Sequence, residues 1–294
     1  MTIDKALIIQ FSDALHVQAQ QIKSRTRQAV TIKQMSGDVF AYDGLGAVEA
    51  QEVVGRVQKT TFTDIEHLRR KISRRRFAVT LPIDDMDERA VLLNPQSEYS
   101  QACIRAMERV FDRVVVQAMF ATVYTGKDFE TSVSFATDGG VTVDATSGLT
   151  FEKILEIKKN FLDAEVGTET PEEFFLGVSG DEHEDLLAET EFTSRDYTAN
   201  YVLDKGEVET IAGFKVIKFA GGSSISNPIL PVASSVRDCF AISKRAVCVG
   251  MSKEMQVTIK DRSDYIDVKQ VQIVGIFGAV RTEGVQVQKV QATE

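Results

Sequence analysis

The sequence places a block of positive charge shortly before a block of negative charge, and no other feature constrains the fold more. Six of the ten residues from His67 to Arg76 are basic, and four of the five residues from Asp84 to Glu88 are acidic. Charges of one sign repel each other within a block, whereas the two blocks attract each other. Such a segment cannot supply a hydrophobic core, so it has to lie on the surface of this chain or against another molecule. The basic residues are Arg69, Arg70, Lys71, Arg74, Arg75 and Arg76, and the acidic residues are Asp84, Asp85, Asp87 and Glu88.

The residues around the basic block have the pattern of a long β-hairpin. From Phe77 to Ile83, apolar residues alternate with others as in a half-exposed strand, and residues 53–62 are rich in β-branched side chains. We therefore expect these two segments to pair, with the basic block at the hairpin tip. Because a lone two-stranded hairpin is only marginally stable in water, this hairpin needs a surface to lie on.

Three interpretations of the hairpin tip follow from its composition: a mobile solvated loop, a nucleic-acid contact, or docking on a neighbouring subunit. The arginines favour nucleic acid, but the adjacent acidic block and the net charge of −9 for the whole chain oppose it. We favour docking on a neighbouring subunit.

The overall composition is that of a globular protein without a membrane anchor. The chain has 294 residues, of which 43% are hydrophobic and 26% charged, enough for one or two compact cores. It contains no apolar run of about 18 residues that could span a bilayer and no signal-peptide pattern, which predicts synthesis in a cytoplasm. Its three cysteines form no CxxC pair, which predicts buried thiols without a disulfide.

Motifs for catalysis or cofactor binding are missing from the sequence. It has no GxxxxGK[ST] loop, HExxH helix, GxGxxG turn or GxSxG elbow. The acidic cluster Asp181–Asp185, with His183, leaves a divalent metal site open, but we favour a helix N-terminus whose dipole the acids compensate. An enzyme that uses Cys103 or this cluster is a further alternative. Cys103 lies on an apolar helical stripe, where cysteine behaves as a small hydrophobe, so we predict no catalysis, no cofactor and no metal.

Two long patterns organise the first half of the chain. Residues 3–22 carry apolar side chains at helical spacing, which predicts an amphipathic N-terminal arm that needs cover from outside itself. A second helical pattern opens at Asn94 and Pro95, suited to a cap and a first turn, and continues to Gly126. At 1.5 Å per residue this predicts a spine of about 45 Å. Residues 127–147 are expected to form a hairpin around Asp138.

A second compact unit is predicted from Leu149 onwards. It begins with an amphipathic helix from Phe151, continues with a buried strand over 174–178 and a helix over 181–188, and has a turn with positive φ at Gly213. The rest of the chain is mostly β-structure to its end. Because strands and helices do not alternate regularly, the fold class is α+β.

In this order, the elements resemble the major capsid protein of tailed bacteriophages, the Hong Kong ninety-seven type fold. The resemblance covers nearly the whole chain and is carried best by Phe174–Leu187, Gly206–Ile217 and Gly278–Arg281. It implies five regions, which are an N-terminal arm (1–52), an extended E-loop hairpin (53–84), a P domain with the spine helix and a hairpin (85–148), an A domain (149–262) and returning P-domain strands (263–294). It also implies that the six basic residues contact a neighbouring subunit, with Asp84, Asp85, Asp87 and Glu88 as possible acidic counterparts.

The resemblance implies a structural role in a virus particle. Such a protein self-assembles into pentamers and hexamers of an icosahedral shell, which encloses double-stranded DNA without sequence-specific binding. Its partners would be identical subunits, a separate scaffolding protein, a portal and an optional decoration protein, and it would be made in the bacterial host cytoplasm. The alternative is an encapsulin-type nanocompartment, which has the same fold and encloses cargo enzymes.

Overall fold

The computed structural model of the chain describes residues 20–52, 59, 62–84, 95–168, 172–188, 209–221, 228–262 and 268–293. These residues form a mixture of helix and strand, which confirms the predicted α+β class. The α-helices are α1 (Pro95–Phe120), α2 (Phe151–Asp163) and α3 (Gly180–Ala188), and a short 3-10 helix spans Arg27–Ala29. The strands are β1 (Thr31–Gln34), β2 (Val39–Leu45), β3 (His67–Ser73), β4 (Arg75–Asp84), β5 (Val123–Thr125), β6 (Thr131–Val133), β7 (Val141–Ala145), β8 (Phe174–Val178), β9 (Thr210–Ile211), β10 (Phe214–Lys218), β11 (Val232–Ala233), β12 (Val236–Ser243), β13 (Val247–Arg262), β14 (Val268–Arg281) and β15 (Val287–Thr293).

The chain divides into two compact units, each assembled from three segments of the sequence. Unit 1 comprises residues 1–24, 75–111 and 253–276, and unit 2 comprises residues 25–74, 112–252 and 277–294. In unit 1, β4 lies beside β14, and β14 lies beside β13. None of the helices in the described ranges is long and apolar enough to cross a membrane.

The spine helix predicted from Asn94 is present as α1, a helix of 26 residues, which corresponds to about 39 Å. Its buried side chains follow a helical period, with Cys103, Met107 and Phe111 all inaccessible to solvent. The helix ends at Phe120, so the predicted end at Gly126 is wrong. The chain instead enters β5 at Val123.

The core of unit 2 is a seven-stranded sheet covered by α2. The strands run in the order β7-β15-β12-β8-β10-β9, with β11 paired to β12. Every residue of β8 is buried, as predicted for 174–178. From α2, Phe161 packs its ring 5.2 Å from that of Phe174 on β8 and 6.1 Å from that of Phe214 on β10. These contacts confirm the predicted amphipathic helix, whose apolar side faces the sheet.

The turn between β9 and β10 is the tight turn that the sequence predicts. Ile211 and Phe214 are paired across it, so Ala212 and Gly213 form a two-residue connection. Both have positive φ, 47° and 86°, which is the geometry of a type I′ hairpin turn. The prediction of positive φ at Gly213 is confirmed.

A second sheet of unit 2 changes the interpretation of the basic block. Its strands run in the order β2-β3-β5-β6, and β2 pairs antiparallel with β3 from Val39↔Ser73 to Leu45↔His67. The basic block is therefore not a hairpin tip. It begins on β3, the second of the two paired strands, and β3 follows the connection of the hairpin, residues 46–66. Along β3, Arg70 and Ile72 are both buried, so every second side chain points inward. The pattern is hard to recognise in the sequence because the neighbouring residues are charged.

The expected partner strand, residues 53–62, lies largely outside the described residues. Residues 31–34 and 39–45, which the resemblance assigned to an arm, form strands β1 and β2. Strand β1 pairs in parallel with the start of β13, with Thr31 opposite Cys248. The hairpin expected over 127–147 is also wrong, because β6 pairs with β5 whereas β7 pairs in parallel with β15.

A small hydrophobic core lies in unit 2 where β1 meets β13. Half-buried Phe40 and Tyr42 pack against it. It consists of Met35, Ile72, Val123, Cys248 and Val280. All three cysteines of the chain are free and buried, as predicted for the thiols.

Candidate intersubunit surface

Arg69 lies on the exposed face of the β2–β3 hairpin and pairs with the residue directly opposite it. Its Nε donates to Oδ1 of Asp43 at 2.7 Å, and its Nη2 donates to Oδ2 at 3.3 Å. These hydrogen bonds hold the pKa of Asp43 below its usual value. Because both side chains are largely exposed, the pair contributes little to folding and its atoms face solvent.

Arg70, one residue further, points into the protein and is only 4% exposed. Its Nη1 and Nη2 donate to the two carboxylate oxygens of Asp138 at 2.7 and 2.6 Å. A second buried guanidinium, Arg281, donates from Nε to Oδ2 of the same carboxylate at 2.7 Å. Arg70 is thus an internal residue of unit 2, and these bonds do not favour the expected contact with a neighbouring subunit, which stays a prediction.

Arg281 also satisfies the end of α1. Its Nη1 donates to the carbonyl oxygens of Met119 at 2.6 Å and Ala121 at 3.0 Å. Burial lowers the pKa of Arg281, and Asp138 acts in the opposite direction. Burial would raise the pKa of Asp138, but the hydrogen bonds from Arg70 and Arg281 outweigh it and keep this pKa below its usual value. The helix C-terminus supplies further negative potential to this cluster.

The remaining basic residues lie nearer the surface. Lys71 holds its ammonium 5.9 Å from the ring centroid of Phe129, and Arg74 forms an exposed ion pair with Asp38. On β4, Arg75 lies over the ring of Phe77 at 5.3 Å.

Arg76 is exposed on the same strand. Of the predicted acidic counterparts, Asp84 is the last residue of β4, and Asp85, Asp87 and Glu88 lie outside the described residues. The contacts of Arg69, Lys71, Arg74, Arg75 and Arg76 with a neighbouring subunit remain a prediction.

The connection of the β2–β3 hairpin exposes apolar side chains. Gly46 N–H donates to the Glu66 carbonyl at 2.8 Å, which extends the pairing by one step. Beyond it, Phe62 is 94% exposed. Leu45, Val48 and Ile65 are also exposed. Four exposed apolar side chains in or next to one connection make it a candidate for contact with another molecule.

An open cleft of about 340 Å³ lies beside Arg69. Among the described residues that line it, basic side chains combine with the paired Asp43, and none is a serine, cysteine or threonine that a base could activate. The lining residues are Asp43, Gly44, His67, Leu68, Arg69, Gly126 and Lys127.

The acidic cluster after β8 caps α3. The carboxylate of Glu182 accepts from the Ser179 N–H at 2.7 Å and from its hydroxyl, while Ser179 Oγ accepts from Asp181 N–H at 3.3 Å. This reciprocal arrangement is a capping box. Asp185 accepts from the Leu149 N–H at 3.1 Å. Within the described residues, no three or more His, Cys, Asp and Glu side chains are grouped to hold a metal.

Comparison with known protein families decides what class of protein carries this surface. The family model described as "Phage capsid protein" matches residues 3–294. The chain belongs to the phage capsid protein family. It is a bacteriophage structural protein of the class that builds icosahedral shells, and its place is the virion capsid. No curated protein matches the chain.

Solved structures show the same fold over nearly the full length of this capsid protein. It is similar to a structure from Mycobacterium phage Che8, with 15% identity, coverage of 96% of this chain and 95% of that chain, and a TM-score of 0.70. It is also similar to the head structure of Helicobacter pylori bacteriophage KHP40, with 11% identity, coverage of 99% and 98%, and a TM-score of 0.73. It is also similar to the capsid asymmetric unit of Cyanophage Pam1, with 12% identity, coverage of 100% of this chain and 98% of that chain, and a TM-score of 0.68. These findings confirm the resemblance in family and fold.

The acids that pair with the basic block of this capsid protein could not be recognised from local sequence. They are Asp38, Asp43 and Asp138, each followed within two residues by another turn or strand signal rather than by further acids. The buried ion pair of Arg281 could have been suspected from the sequence. Arg281 is a charged residue at the end of the apolar run 271–280, and a buried charge needs a partner.

Proposed function

We propose that this chain is the major capsid protein of a tailed bacteriophage, and that it assembles into pentamers and hexamers of an icosahedral shell around double-stranded DNA. The observation that carries the proposal is the phage capsid family match over residues 3–294. The proposal includes synthesis in the bacterial host cytoplasm, a separate scaffolding protein, a portal and an optional decoration protein. The family match gives no support to the encapsulin alternative.

The division into arm, E-loop, P domain and A domain belongs to the same proposal, with one change. We assign the E-loop to the β2–β3 hairpin and its connection, residues 39–73, because β2 and β3 are antiparallel partners. Arg69, Arg70 and Lys71 then lie on the paired strands of the E-loop, and Arg74 to Arg76 directly follow it. The exposed apolar residues lie in its connection or next to it.

The exposed apolar residues of the E-loop support docking on a second copy. Burial of a fully exposed phenylalanine is worth about 1.5–3 kcal/mol, and Phe62 is available for it in every subunit. A contact between two different patches of identical chains can repeat around a ring and close it. The E-loop is therefore proposed as the element that each subunit places on its neighbour.

Exposed charges add to this contact by repetition. A surface ion pair contributes about 0.2–1 kcal/mol, which is small for one pair but is multiplied across every copy in a shell. The net charge of −9 suits a container for DNA, because a basic wall would bind the packaged strand.

Cryo-electron microscopy of purified particles tests the proposal. We expect closed shells with five-fold and six-fold capsomers, and nuclease-protected double-stranded DNA in particles from infected cells. Particles that contain cargo protein and no portal would instead support a nanocompartment. Particles without icosahedral symmetry would contradict the assembly proposed here.

Variants of two exposed apolar residues test the role of the E-loop. Phe62→Ser should abolish shells without unfolding the subunit, because its native exposure of 94% means that it supports no core of its own chain. Leu162→Ser is the matched control, since Leu162 is 48% exposed on α2. Equal loss of shells in both variants would argue against a specific docking role for Phe62.

A further inference from the structure

A buried carboxylate of α1 holds the backbone of residues 25 and 26. Asp112 is 0% exposed. Its Oδ2 accepts from the Arg25 N–H at 3.0 Å, and its Oδ1 accepts from the Thr26 N–H at 3.1 Å and from the Thr26 hydroxyl at 2.7 Å. One side chain therefore receives three donors from two consecutive residues of a different segment.

The bonds to Asp112 are of the strong kind. Hydrogen bonds to an ionised carboxylate are shorter and stronger than those between neutral groups, and a carboxylate without partners is costly to bury. Thr26 is itself fully buried, and its carbonyl accepts from the Ala29 N–H at 2.8 Å to start the 3-10 helix. The chain is thus fixed at residues 25 and 26 on both its donor and acceptor sides.

Further contacts lie immediately upstream. In unit 1, the Ser24 N–H donates to Glu108 Oε2 at 3.1 Å, and Arg109 Nη1 donates to Gln20 Oε1 at 2.8 Å. These two contacts are partly buried, as is the Arg25 bond to Asp112, and Ile22 and Lys23 are exposed. Asp112 and Thr26, by contrast, are both fully buried, so the clamp itself lies inside unit 2.

We infer that Asp112 is a positioning residue for assembly: it fixes the backbone of residues 25 and 26, at the beginning of unit 2, in the same place in every subunit. The consequence for assembly rests on the proposed function, whereas the attachment rests on contacts within one chain. Identical subunits in a closed shell must present each segment in the same way, because the same contacts repeat. A buried carboxylate that clamps two backbone amides meets that requirement.

Limited trypsin digestion of the unassembled subunit tests the attachment. Lys23, Arg25 and Arg27 place cleavage sites directly at the clamp. Asp112→Asn keeps the size of the side chain but replaces one acceptor oxygen with an amide donor. We expect cleavage after Arg25 to rise about tenfold through local opening, with unchanged far-ultraviolet circular dichroism. Glu108→Gln, which affects the upstream contact, should leave cleavage after Arg25 nearly unchanged.

A second variant covers the case in which Asp112→Asn destabilises the whole subunit. Thr26→Val keeps the carboxylate and removes only the hydroxyl donor, and it should raise cleavage after Arg25 about two- to fivefold. Selective cleavage near residue 25 in either variant supports the inference. If neither variant raises it above cleavage elsewhere in the chain, the inference is overturned.

Electron microscopy of shells then separates this inference from the proposed function. Asp112→Asn should give irregular particles from folded subunits. Normal particles from that variant would overturn the positioning role. A wild-type protein that builds no shells would overturn the proposed function together with that role, while selective proteolysis would still show where the chain is clamped.

Discussion

Arg70, Asp138 and Arg281 bury two positive charges around one carboxylate inside unit 2. Such a cluster is not in itself evidence of high stability, because the cost of removing charges from water offsets much of their attraction. The effect of the cluster depends on its one carboxylate: with Asp138 present, both guanidinium groups share its counter-charge, and without it two buried positive charges are left uncompensated. The cluster joins β3, the end of α1, the turn at Asp138 and the end of β14.

Asp138→Asn is expected to destabilise the subunit strongly. The substitution leaves two buried guanidinium groups without their counter-charge, which costs about 3–5 kcal/mol. Chemical denaturation of the unassembled subunit measures this change. Asp43→Asn is the control, since it removes an exposed partner of Arg69 and should leave the denaturation midpoint unchanged. Equal effects of the two substitutions would refute the role assigned to the buried cluster.

The same carboxylate predicts a dependence of stability on pH. The folded-state pKa of Asp138 lies below its ordinary value of 3.8, so the unfolded chain binds this proton first as the pH falls. The stabilisation is complete above about pH 4 and is lost as the pH decreases below it. The free energy of unfolding should therefore fall more steeply below pH 4 in the wild type than in Asp138→Asn. Parallel curves for the two proteins would contradict the assignment.

The sequence could not reveal the role of Arg70, because five other basic residues surround it and local composition suggests solvent. Only the alternation of buried and exposed side chains along β3 distinguishes Arg70. The sequence shows this alternation only if Arg70 is assumed to point inward, as Ile72 does. The partner, Asp138, is 68 positions away in the sequence. Local patterns carry no information about a pairing at that distance.

At the level of elements, the turn at Ala212–Gly213 was predictable because its signal is local. A type I′ turn needs positive φ at both central residues, and Gly213 between two β-prone runs provides half of that signature. Helices α1 and α2 and strand β8 were predictable for a similar reason, since hydrophobic period and length are properties of a short window. The pairing of strands was not predictable, because the period of the hydrophobic residues identifies the buried face of a strand but not the strand beside it.

Opposite substitutions in this turn should have opposite effects. Gly213→Val is expected to destabilise the subunit by about 1–2 kcal/mol and to lower its soluble yield, because a β-branched residue adopts positive φ poorly. The nearest atom to a Cβ at Gly213 is 3.9 Å away, so the cost is conformational rather than steric. Ala212→Gly, at φ 47°, should raise the melting temperature slightly. Unchanged melting in Gly213→Val would contradict this geometry.

For the whole molecule, the order of elements allowed the capsid fold to be predicted although no single motif is diagnostic. The contact surface stays a prediction. The excess of basic residues marks a candidate region, but the expected acidic counterparts were those closest in sequence, whereas the described pairs within the chain use Asp38, Asp43 and Asp138. The exposed apolar residues of the β2–β3 connection were missed, because isolated apolar residues in a loop have no period that marks them as exposed.

Reversal of the basic residues at the start of β4 should separate folding from assembly. Arg74→Glu, Arg75→Glu and Arg76→Glu combined are expected to leave a folded subunit that builds no shells, because these side chains are exposed and their described contacts are individually weak. Circular dichroism checks folding, and electron microscopy checks assembly. Normal particles from the triple variant would show that these arginines do not serve a neighbouring subunit.

As proposed above, identical copies of this chain complete its exposed surfaces. Negative-stain electron microscopy of the wild-type protein, produced together with the proposed scaffolding protein, measures this directly. Closed shells of uniform diameter are the predicted result. Only monomers, at every concentration and with the scaffolding protein present, would contradict the account.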